Sequence, residues 1–195
     1  MTIRLLDPAG PNRDSVLDML RTLCPAANFS LNPDGTVRIN TMICRDLPET
    51  AGIEVICRCL CHMVGFGTEV RIRVAFDLSA FGGGVTFDDN PDDSVMRGDP
   101  PVLGRGTGSE VRIENRGRWR ARRMDDPTQI VPEPDWLILA HELCGHALRM
   151  QRGDHTERRP GRPRYDPNWH NQALAVGQRE RAARGMPQIL EPPFL

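Results

Sequence analysis

Lysine is absent from this chain; every one of its 25 basic residues is arginine. A coding bias is the plain reason, and no function is read from it. Charge of one sign is not in excess either. The formal net charge is -1, which removes any whole-molecule bias toward nucleic acid or membrane. Long apolar runs are missing. No window approaches the roughly 20 apolar residues of a membrane span. The opening segment "MTIRLLDPAGPNRD" lacks the apolar run of a signal peptide. The expectation is therefore no membrane span and no classical signal. Export by a specialised secretion system, or a cytoplasmic location, both remain open. Aromatics are few, with one tyrosine, three tryptophans and six phenylalanines.

What is present fits one domain. A chain of 195 residues can bury a real core. Residues 1–123 read as a β-rich part and 124–195 as a helical part, giving an α+β class with a small, mostly antiparallel sheet. "DSVLDMLRTLC" repeats apolar positions at helical spacing and predicts a helix capped by Asp14 or Ser15. "NPDG" at 32–35 is a turn signal. "TVRINTMI", "GIEVICRCL", "TEVRIRVAFD" and "SEVRIEN" read as strands. "FGGGVTFDDNPDD" reads as a bend, a short strand and a solvated acidic turn. Cys57, Cys59 and Cys61 alternate and would share one face of a strand. That predicts buried thiols or one local disulfide in preference to a second metal site with His62.

"WLILAHELCGHALRMQRG" predicts a helix capped by Asp135 and stopped near Gly153. It is apolar on most sides, so His141, Glu142 and His146 are costly inside it unless their polar atoms have partners. A metal ion supplies a partner for each histidine. The spacing raises a difficulty, because the histidines are five residues apart. A regular helix turns about 100° per residue, so such a pair is offset by about 140° and faces apart. One extra residue in the turn, a π-bulge, repairs this, and such bulges concentrate at functional sites. Gly145 eases the distortion. The bulge is expected between Glu142 and His146, leaving Glu142 as general base for metal-bound water.

"HELCGH" resembles the motif of the dipeptidyl peptidase III family, zinc exopeptidases with the signature His-Glu-x-x-Gly-His. The resemblance covers residues 137–148. It implies zinc held by His141 and His146, Glu142 as catalytic base, and a third ligand from a glutamate on a following helix. The order of "GRGTGSEVRI", the metal helix, a variable loop and "RERAARGMP" resembles small zincin-like toxin domains of bacterial secretion systems. That second resemblance implies a zincin-like, secreted antibacterial metallopeptidase with a cognate immunity protein as partner.

The third ligand is open among His155, Glu157, Asp166, His170, Glu180 and Glu191. His170 is the first choice, because it starts the last predicted helix, roughly 169–184. Glu180 is the alternative, because it lies on that downstream helix. Asp166 is a candidate to orient a ligand histidine. Tyr165, the single tyrosine, lies in the loop 154–168 and is a candidate oxyanion donor. The expected activity is zinc-dependent hydrolysis of an amide or peptide bond, with protein or the peptide stem of peptidoglycan as substrate. Two other readings compete. One is a nucleic-acid protein or nuclease using the basic strip Arg112–Arg123; the other is a non-catalytic domain with a structural metal. A nucleic-acid partner is the less favoured.

Overall fold

Alternation along the strands decides which side of the main sheet is covered. Val70, Ile72 and Val74 of β4 (Val70–Val74) are buried, as are Ser109, Val111 and Ile113 of β6 (Ser109–Ile113). Arg73 and Arg112 point the other way. With Arg4, Glu69, Arg71, Asp89 and Glu110 they form a lattice of ion pairs over the opposite face. The structure, a computed structural model, describes residues 3–39, 53–96, 102–155, 177–178 and 181–190.

The main sheet is six-stranded, in the order β2-β3-β1-β4-β6-β5. Besides β4 and β6 it contains β1 (Ile3–Leu5), β2 (Ser30–Leu31), β3 (Thr36–Arg38) and β5 (Gly84–Asp88). β1 and β6 run parallel to β4; the other pairings are antiparallel. A second, three-stranded antiparallel sheet joins β7 (Arg120–Arg123) to β8 (Ile130–Pro132) and β9 (Ile189–Leu190). The chain is therefore α+β, with a mixed main sheet. The β9 pairing brings Ile189 and Leu190 onto β7.

Helix α1 (Pro11–Leu23) is longer at its start than expected. Pro11 opens it and Gly10 precedes it, so Asp14 lies in the first turn and is not the cap. The turn at Asn32–Gly35 forms as predicted, with the Gly35 amide donating to the Asn32 carbonyl at 3.0 Å.

The expected strand "GIEVICRCL" is instead helix α2 (Ile53–Gly65). Alternating cysteines imitated a strand period. The deeper signal is Ile56, Leu60 and Met63, spaced four and three apart and at most 1% exposed. On a helix Cys57 and Cys59 diverge by about 200°. Cys57 reaches Cys24 at the end of α1, and Cys59 reaches Cys144 in the metal-motif helix. Cys61 is disulfide-bonded as well. Buried thiols and a local bridge are both corrected: these two disulfides span 33 and 85 residues.

The Cys59–Cys144 bond ties α2 to the motif itself. Replacing both cysteines by serine should cost about 2–4 kcal/mol, as for other long-loop disulfides. Urea unfolding of the double variant beside wild type measures this; an unchanged midpoint would contradict it.

Candidate metal centre

The motif helix begins as α3 (Asp135–Ala140), passes through a π-helical stretch, His141–Ala147, and ends as α4 (Leu148–Arg152). Its start differs from expectation. Pro134 is the cap residue, and the Asp135 carboxylate accepts the Gly117 backbone N–H at 2.9 Å. Burial pushes the Asp135 carboxyl above its ordinary value; the Gly117 N–H opposes this and the Glu114 charge adds to it.

The helix is wedged between the sheet and helices α1 and α2. Leu137, Leu139, Ala140, Leu143 and Ala147 are all at most 1% exposed. Apolar packing on several sides holds the wide turn in place. Its signature is the Leu148 backbone N–H donating to the Leu143 carbonyl, one residue beyond the α pattern. Cys144 lies inside the turn and is fastened to Cys59.

The turn brings the two imidazoles together. His141 Nε2 and His146 Nε2 are 3.1 Å apart, with ring centroids 4.9 Å apart and planes at 68°. Two nitrogens each about 2.0–2.1 Å from one tetrahedral ion would lie about 3.4 Å apart, so the pair fits a common metal. The ligand atoms of His141, Glu142 and His146 all fall within 4.8 Å of one another. Glu142 and His146 are buried and His141 is partly open. The expected π-bulge is observed, but the π-helical stretch begins at His141 and includes Glu142 instead of following it.

Strand β5 supplies what the motif could not announce. The Thr86 hydroxyl donates to Glu142 Oε2 at 2.6 Å. Gly84 lets the strand pass close by, since a Cβ there would sit 2.8 Å from Glu142 Cγ and from Ile138 Cγ2. Thr86 lies 56 residues before Glu142 and carries no local signal of its role. Thr86→Val should leave metal content unchanged and slow any Glu142-dependent hydrolysis about 10-fold, the equivalent of about 1.4 kcal/mol. Equal rates in the two proteins would remove Thr86 from the site.

Downstream, α4 stops at Gly153 as predicted, in a left-handed conformation (φ 69°, ψ 18°). His155, two residues on, is 8% exposed, and its ring lies 5.9 Å from that of His146. Between them, Asp154 has its carboxyl raised by burial, and Arg149 and Arg152 offset part of that rise. Tyr165, His170 and Glu180 lie outside the described residues, as do Glu157, Asp166 and Glu191.

The basic strip is largely committed within the protein. Arg112 pairs with Glu110, Arg118 with Glu114 and Arg123 with Asp125. Arg116 lies over Phe76, and Arg120 donates to the carbonyls of Gly117 and Trp119.

No protein-family model matches this chain, and no curated protein or solved structure matches it. No helix among the described residues is long and apolar enough to cross a membrane.

Proposed function

We propose that this protein is a metal-dependent hydrolase of amide or peptide bonds. In this reading His141 and His146 hold a zinc ion and Glu142 is the general base. The observation that carries it is the π-turn. An extra residue that ought to separate the imidazoles is absorbed there, and they meet beside a buried carboxylate. A fold under no functional demand gains nothing from that distortion, and such turns concentrate at functional sites.

Zinc at this place would acidify a bound water and polarise a carbonyl. The chain's own residues do the rest. His141 and His146 present neutral nitrogens. Glu142 accepts a proton on its carboxylate and returns it to the leaving amine. The Thr86 hydroxyl fixes the carboxylate's orientation through its hydrogen bond to Oε2.

A peptide substrate suits the surroundings. β5 is the outer strand of the main sheet, and among the described residues it pairs only with β6. It runs past Glu142 through Gly84 and Thr86, so an extended chain could align along it by strand addition. We read this as a zincin-like arrangement, in keeping with the resemblance of "HELCGH". The disulfides agree with an exported protein, because such bonds persist mainly in oxidising compartments. A secreted antibacterial effector, paired with an immunity protein in the producing cell, is the biological setting that fits.

The test is hydrolysis of denatured casein and of purified peptidoglycan by the zinc-loaded protein, with and without chelator. Chelator-sensitive cleavage of either supports the reading and chooses the substrate. Zinc binding without cleavage of either, under conditions where a known zinc peptidase cleaves, counts against it.

A further inference from the structure

We infer that His155 is the third protein ligand of the centre formed by His141 and His146. The inference rests on the metal-centre reading above and adds to it a residue that the motif does not contain.

The first support is ring geometry. Imidazoles sharing one tetrahedral ion at about 2.0–2.1 Å have centroids roughly 5 Å apart. His141 and His146 are at 4.9 Å, and His146 and His155 at 5.9 Å. His155 thus stands about 1 Å outside the cluster of His141, Glu142 and His146, and the inference requires its ring to turn toward His146 when the ion binds. The planes matter equally. His146 meets its two neighbours at 68° and 73°. Stacked histidines would be parallel and could not direct nitrogens at one point. Near-perpendicular rings can do so.

The second support is how firmly the backbone delivers His155. The helix ends through two hydrogen bonds, from the Gly153 amide to the Met150 carbonyl and from the Asp154 amide to the Arg149 carbonyl. Gly153 is required at this turn. Its φ is +69°, and a Cβ there would lie 2.2 Å from the Gly104 carbonyl oxygen. The Gly104 amide in turn donates to the Gly153 carbonyl at 2.9 Å. Immediately beyond, the His155 amide donates to the Ser94 carbonyl at 3.0 Å, and His155 forms a parallel bridge with Val95. The chain is thus reversed and pinned within two residues of the helix end, and the imidazole is set beside His146.

The third support is burial. His155 is 8% exposed and His146 6%. His141 is partly open, so the two buried rings carry this argument, and a shared ion would give each of the three imidazoles a common partner. Three nitrogen ligands leave the fourth tetrahedral position for water, the arrangement of a catalytic zinc site.

The experiment is titration of the purified full chain with cobalt(II), followed by its visible absorption, and with zinc, followed by the rise in melting temperature. Wild type should take up one equivalent of cobalt. His155→Ala should weaken binding at least about 100-fold, since even loss of an outer-sphere partner costs about 10–100-fold. It should also change the cobalt spectrum and lose the zinc-induced rise. His170→Ala should bind as wild type does. Should His155→Ala fold poorly, His155→Asp and His155→Asn decide, and the carboxylate should bind cobalt more tightly than the amide. Wild-type affinity and spectrum in His155→Ala, equal binding by the Asp and Asn variants, or a loss confined to His170→Ala would overturn the assignment. Absence of cobalt and zinc binding by wild type itself would instead overturn the metal-centre reading, and this inference with it.

Discussion

His146→Ala should leave a folded protein whose zinc affinity has fallen by about 1,000-fold or more, beyond the roughly 10–100-fold cost of losing an outer-sphere partner. His146 is placed by the turn and not by a loop. Its neighbours Cys144 and Ala147 are held by a disulfide and by core packing. The site therefore has little freedom to recruit a substitute. The truncation also removes one of two imidazole nitrogens that lie 3.1 Å apart. If those nitrogens merely shared a proton, the variant would lose some stability and no metal. Competition titration against a chromogenic zinc chelator separates the two cases. His62→Ala, on the exposed side of α2, is the control and should bind as wild type does.

Glu142→Gln should do the converse, keeping zinc and fold and losing about 10²–10⁴-fold in hydrolysis, the range that general acid–base catalysis supplies. Glutamine preserves the side chain's length and can still accept the Thr86 hydroxyl's hydrogen bond. It cannot take up a proton in the working range of pH. The double result is the informative one. Zinc lost together with activity would make Glu142 a ligand, in line with its place in the cluster with His141 and His146. Unchanged hydrolysis would end its role as base. Single-turnover rates on whichever polymer the wild type cleaves, with zinc content measured on the same samples, provide the comparison.

The metal motif was legible because its defect is local. Five-residue spacing in an apolar helix allows either two histidines facing apart or an altered turn, and both alternatives can be weighed within ten residues. The stop at Gly153 and the turn at Asn32–Gly35 were legible for similar reasons of local backbone chemistry. Helix α2 was not. Cys57, Cys59 and Cys61 impose a period of two, and for Cys57 and Cys59 it reflects bridges to other elements, which no neighbouring residue reveals. Asp135 does not cap its helix because its carboxylate is engaged by an amide 18 residues away. Thr86 and Gly84 belong to the site only because β5 is the outer strand lying against the motif helix, a fact of sheet order. His155 stood among several candidates of equal chemistry until the backbone reversal at Gly153 brought it beside His146.

The central claim is that His141 and His146, despite their spacing, bind one ion together. Anomalous diffraction at the zinc edge from crystals of the zinc-loaded protein tests it most directly. The account predicts one peak about 2.0–2.1 Å from both Nε2 atoms. A peak on one imidazole alone, or none between the two rings at full zinc loading, would contradict it.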